Sequence, residues 1–299
     1  MIYYLFILLA VLAFTAQFAF TKLFSAASRE GGVGAFGMLL AVGLSGTVAA
    51  LLASGGQIRI SPASLLLAAA FALVMIPYHT LSAKALSLGD LSTYSVFMML
   101  GGMLIPFLYG ILWLSEGATV GKLCGCALLS VAIVWQGYLQ GRGKGRAARG
   151  GLYLILCLII FVVNGLTGVI QQMHALRPDA VDEVSFILLS SAMTALFAAV
   201  GLLIALLRGG RAAREECKVF FTKKPILFAA LLGIMMNTGN FLILLAAPHV
   251  GASIQFPLIS GGTILTSALA SRLIFRERGA AGELWPLFIT LLSTILFAF

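Results

Sequence analysis

Ten stretches of this chain, each about twenty residues long and nearly free of charge, follow one another with only short polar or glycine-rich breaks. They lie at roughly 3–24, 33–53, 62–83, 91–114, 119–139, 151–172, 183–207, 225–246, 252–275 and 281–298. A helix rises about 1.5 Å per residue, so roughly 20 apolar residues cross the hydrocarbon core of a bilayer. The pattern predicts an all-α integral membrane protein with ten transmembrane helices, multi-pass in the cell (cytoplasmic) membrane. Composition agrees: 61% of the 299 residues are hydrophobic and 10% charged, against about 25% charged in an ordinary soluble domain. Little chain is left for a soluble domain.

A net charge of +9 would point to nucleic acid in a soluble protein, but here the basic residues flank membrane spans, so no nucleic-acid partner is expected. Of 19 Lys and Arg, 16 fall in the breaks after the first, third, fifth, seventh and ninth runs or at the adjoining helix ends, among them Lys22, Lys84, Arg142, Arg211 and Arg276. The other breaks hold only Arg59, Lys122 and Arg177. The positive-inside rule puts the crowded side in the cytoplasm and both termini outside it. "MIYY" has no Lys or Arg, and the run after it is too long for a signal-peptide core, so the first run is expected to be retained.

The basic segment "GRGKGRAARG" (141–150) divides the chain near its middle. Five runs on each side, 1–140 and 151–299, imply that two similar halves insert with opposite orientation, as two inverted five-helix repeats. Residual similarity supports duplication. An offset of about 161 residues pairs Ser92 with Ser253, Tyr94 with Gln255, Gly101 with Gly262 and Glu116 with Glu277. A looser match sets Gln17 beside Asn164. The fourth and ninth runs each carry a double glycine near mid-membrane, where small residues mean either close helix contact or a pathway.

Catalytic signatures are missing. There is no HExxH, Walker loop, GxSxG or Cys/His cluster, so neither an enzyme nor a bound cofactor or metal is expected. Cys124, Cys126, Cys157 and Cys217 lack paired metal spacing, and the three inside or at apolar runs read as small hydrophobes.

Two five-run halves, a fourth run ending in "LWLSEG" before "LCGCALLSVAIV", and a counterpart "LIFRERG" before the tenth run resemble the drug/metabolite transporter superfamily, EamA type. The resemblance spans nearly the whole chain. It implies a permease that exports small metabolites by rocking its halves, with a cavity lined by the first, third, fourth, sixth, eighth and ninth helices. The chain departs from that family's pattern at "AFTAQF", where many relatives carry Trp-Gly, and in the orientation its charges imply.

Polar groups within spans are costly in lipid and face the bundle interior, so they are the candidate substrate contacts. They are Gln17 in the first run, Tyr78 and His79 beside Pro77 in the third, and Tyr94, Ser95 and Met98 ahead of the glycines in the fourth. Asn164 and Thr167 follow in the sixth, Asn237 and Asn240 in the eighth, and Gln255 and Ser260 in the ninth. Each residue also has a plain reading as helix glue or packing. His79 is the one ionisable group placed clearly within a span, while His174 and His249 sit near loop ends. Glu116 and Glu277 read as turn acids, and Lys22 and Lys84 as snorkelling cations. Gly121 and Gly125, and the stripe Gly37, Ala41, Ser45 and Ala49, read as helix-packing faces within one chain or across a homodimer. The expected partners are a small-molecule substrate and membrane lipid. The sequence thus favours a secondary transporter of small polar or zwitterionic metabolites such as amino acids. The alternative is a non-transporting accessory or lipid-handling scaffold.

Overall fold

The computed structural model describes residues 2–28, 31–115, 117, 119–141, 147–246, 249–250, 252–277 and 284–296. Its helices are α1 (Ile2–Ala27), α2 (Gly32–Ser54), α3 (Pro62–Leu88), α4 (Leu91–Trp113), α5 (Val120–Gly141), α6 (Ala147–Ala175), α7 (Glu183–Arg208), α8 (Gly210–Phe220), α9 (Lys223–Ala246), α10 (Ala252–Leu273) and α11 (Leu284–Leu296). Among the described residues, seven stretches are long and apolar enough to cross a membrane: α1, α2, α3, α4, α7, most of α6 and most of α9. Large apolar side chains stand exposed along them, Leu66 at 72% and Leu207 at 76%, a surface that water does not tolerate and lipid does. The protein is an all-helical, multi-pass membrane protein.

One helix was not expected. The segment 210–220 looked like a charged connection, yet it forms the amphipathic α8, whose Ala213 and Phe220 join a buried cluster with Phe24, Val33, Met38, Val42, Ala229 and Leu232. Two buried apolar positions, with Cys217 packed against them, are enough to seat this short charged helix once a neighbour offers an apolar face.

The residues group into two compact units, and each draws on both halves of the chain. The first comprises Met1–Ala19, Leu88–Gly165 and Gly239–Phe299; the second comprises Phe20–Ser87 and Leu166–Thr238. The first thus holds the start of α1, α4, α5, most of α6, the end of α9, α10 and α11. The second holds the end of α1, α2, α3, the end of α6, α7, α8 and most of α9.

In the first unit α4 packs on α10 and α5 on α11. Val96, Leu100 and Leu104 of α4 form its core with Ile264 and Ala268 of α10 and Leu287 of α11. The Ser293 hydroxyl donates to the Gly125 carbonyl at 2.7 Å, so part of the small-residue face of α5 is used within the chain. In the second unit α2 and α7 form the dominant helix pair. A Cβ at Gly43 would fall 2.5 Å from the Ala195 backbone nitrogen, and one at Gly46 would fall 2.4 Å from Ser191 Oγ. Only glycine permits that approach.

Candidate functional site

Eight of the twelve candidate residues lie in the first unit: Gln17, Tyr94, Ser95, Met98, Asn164, Asn240, Gln255 and Ser260. The double glycine of α4 marks a contact there. A Cβ at Gly101 would come within 2.1 Å of the Phe161 carbonyl oxygen of α6, and one at Gly102 within 2.7 Å of Asn164 Nδ2. At this crossing the Asn164 amide donates to the Met98 carbonyl at 2.7 Å. Its neighbour Tyr94 is buried and meets Phe18 edge to face at 5.4 Å. The Ser95 hydroxyl bonds back to the Ser92 carbonyl at 2.8 Å.

The corresponding glycine of α10 touches α1. A Cβ at Gly262 would lie 2.9 Å from Val11, and Thr15 and Thr266 share a hydroxyl hydrogen bond nearby. Gln17 is buried about half a turn beyond Thr15. Gln255 is also buried, with its amide donating to the Ile243 carbonyl at 2.9 Å. Ser260 is buried and Asn240 half-buried.

The second unit holds Tyr78, His79, Thr167 and Asn237. Pro77 sits inside α3, where it removes an N–H from the helix ladder. Tyr78 and His79 follow with their rings edge to face at 4.8 Å. His79 is 1% exposed, and its Nε2 has no hydrogen-bond partner among the described residues, an arrangement that costs free energy unless a further group completes it. Thr167 is buried. Asn237, the most attractive position in the sequence, is committed to packing: its amide donates to the Gly233 carbonyl at 2.8 Å, Ser45 Oγ at 3.2 Å and the Val42 carbonyl at 3.5 Å. The α2 stripe containing Ser45 therefore serves an intrachain contact.

Two carboxylates have roles that sequence reasoning half anticipated. Glu277 accepts from the Leu91 N–H at 3.0 Å and from the Ser271 hydroxyl, so it caps α4 from a remote segment. Glu216, which drew no attention, does the same for α2 by accepting from the Val33 N–H at 3.0 Å. Helix N-termini leave such donors unpaired and attract negative charge. Glu116 lies outside the described residues. Lys84 lines a cleft of about 220 Å³ with Phe24, Ser25, Ser28, Thr80 and Ser87 in the second unit. The surprise is His174, which is 4% exposed, stacked on Phe186 at 3.9 Å and bonded to Ser64 at 2.9 Å. Its position near a loop end gave no hint, because only the fold brings α3 and α7 to it.

No family model and no curated protein matches the chain. Among solved structures, one described as "Crystal structure of protein" superposes with a TM-score of 0.51 over 96% of both chains at 16% identity. At that identity the likeness is one of fold.

Proposed function

We propose that the protein is a secondary transporter, an exporter of small polar or zwitterionic metabolites such as amino acids, built like the EamA-type drug/metabolite transporters. On this reading ten spans form two inverted five-helix repeats, and transport proceeds by alternating access around a central cavity. One observation carries it: three helices that carry intramembrane amides are shared between the two units. The first helix of each half changes unit just after its amide, at Ala19/Phe20 beyond Gln17 and at Gly165/Leu166 beyond Asn164. α9 changes unit at Thr238/Gly239, between Asn237 and Asn240. Intramembrane amides on helices shared by two compact units suit a transporter whose ligand contacts are polar groups within spans.

A scaffold reading, in which the protein transports nothing, has one observation in its favour. The amides of Asn164, Asn237 and Gln255 all donate to neighbouring backbone carbonyls, as helix glue would. Gln17, beside the point where α1 changes unit, and Asn240, beside the point where α9 does, are the residues to test. Purified protein in liposomes is loaded with a mixture of labelled amino acids and assayed for counterflow, alongside Gln17→Ala and Asn240→Ala. Export predicts flux that either variant reduces at least tenfold while leaving the melting temperature within a few degrees. Flux absent for amino acids, amines and other small metabolites, with both variants destabilised, supports the scaffold.

A further inference from the structure

The connection between α6 and α7 is tied to the start of α3 through one hydroxyl. Ser64 is fully buried, and its Oγ lies 2.9 Å from Nε2 of His174 in the last turn of α6. Two other groups already donate to that oxygen: the Val181 N–H at 3.2 Å and the Ser61 hydroxyl at 2.9 Å. A hydroxyl oxygen has two lone pairs and one proton. Both lone pairs are taken, so the proton goes to His174: Ser64 donates and Nε2 accepts. The ring is thereby fixed as the neutral imidazole with its proton on Nδ1.

We propose that His174 is a proton-binding site that holds the α6–α7 connection in place while neutral and releases it on taking a proton at Nε2. The proton comes from solvent and no covalent bond other than the new N–H changes. Its arrival sets two donors, imidazolium N–H and Ser64 O–H, against each other. Ser64 can find another acceptor only by turning, which gives up Ser61 or Val181.

The surroundings supply the charged state with an alternative. Asp179 and Glu183 are the carboxylates whose charge acts on the ring. Asp179, on the connection, is held by Arg177 at 2.8 Å. Glu183 opens α7. Asp182 is committed to the Ser185 N–H and hydroxyl at 3.0 and 2.9 Å, with Arg59 acting on it from the segment before α3. Phe186 stacks on the ring at an interplanar angle of 17°. Burial works against the charged ring and these carboxylates work for it, so acid is the signal. The device stands whether or not the chain transports anything.

Hydrogen exchange of the full-length protein in lipid nanodiscs, at pH 7.5 and pH 5.0 with intrinsic rates normalised, tests it. The readout is the ratio of exchange at the two pH values for peptides covering 176–185. The expected ratio in the wild type is about tenfold, the loss of roughly one hydrogen bond, with α7 peptides beyond residue 190 unchanged. His174→Gln, whose amide oxygen accepts from Ser64 and does not titrate, is expected to bring the ratio near one whatever its absolute rate. Ser64→Ala is expected to exchange fast at both pH values. A wild-type ratio of one, or a His174→Gln ratio equal to the wild type's, overturns the proposal.

Discussion

The two units use glycine in different ways. In the second, Gly32, Gly43 and Gly46 of α2 meet Ala205, Ala195 and Ser191 of α7, so one close contact repeats along a helix pair. In the first, glycines gather at single crossings: Gly101, Gly102 and Gly165 where α4 meets α6, and Gly262 where α10 meets α1. A contact spread over several turns resists sliding and tilting, whereas a point contact leaves the helices free to pivot. The contrast is between a zipper of close contacts along one helix pair in the second unit and isolated close crossings in the first.

The largest expected effect breaks that contrast if it fails. Gly43→Ala would press a methyl to 2.5 Å from backbone that cannot yield, at about 3 kcal/mol, the upper end of overpacking costs. The variant should lose most of its folded yield in detergent. Gly262→Ala meets the end of the Val11 side chain at 2.9 Å, which can turn away, so about 1 kcal/mol is expected. Equal melting-temperature losses for the two would erase the distinction between a zipper and a crossing.

The amides sharpen it further. Asn237→Leu removes three donated contacts that bind α9 to itself and α2, while Asn164→Leu removes one to α4. Interhelical hydrogen bonds in membranes average about 0.6 kcal/mol and reach about 1.7. Asn237→Leu should sit near the upper figure and Asn164→Leu near the mean, read as melting shifts in the same detergent. The reverse order would mean that the α4/α6 crossing holds more of the fold than the α2/α9 contact.

Much of this fold could be read from the residues, because hydropathy is local and a span needs only length. Seven of the expected runs coincide with helices long and apolar enough to span among the described residues, and ten membrane crossings remain part of the proposed function. What could not be read is everything set by which helix meets which. Gly101 looked equally like contact or pathway until Phe161 was placed beside it. Asn237 looked like the best ligand group because its partners Ser45 and Val42 are 192 and 195 residues away. Glu216 and His174 stand in the same position: their partners are remote in sequence, and a charged or titratable residue near a loop gives no local sign of them. The α8 helix was missed for a related reason, since its apolar positions are too few to register without the α2 face they cover.

Both units also cap a helix with a distant carboxylate, and here the difference is one of degree. Glu277 takes donors from Leu91 and Ser271, Glu216 from Val33. Both residues are partly exposed, so solvent screening keeps the effects small. Glu277→Gln should cost about 1 kcal/mol and Glu216→Gln about half that in denaturation midpoints. A larger loss at Glu216 would show that α8, and not the α2/α7 zipper, holds the second unit together.

The smallest effect separates two acid responses in one short connection. Asp182 caps α7; partial burial pushes its carboxyl up, but hydrogen bonds from the Ser185 N–H and hydroxyl outweigh this and leave it below the ordinary carboxylate range. A depressed value in the folded state means stability that is present above about pH 3.9, the unfolded value, and lost as pH falls through the lower folded one. Asp182→Ala should therefore cost about 1 kcal/mol or less at neutral pH, a cap's worth, and the gap from wild type should close below pH 4. The His174 response is read at higher pH, between 7.5 and 5.0. Asp182→Ala should leave the exchange ratio between pH 7.5 and pH 5.0 intact, because Asp182 stays ionised across that window. If the variant abolishes the ratio, the cap and the histidine act as one element, and the acid response of the second unit belongs to the start of α7 as much as to the end of α6.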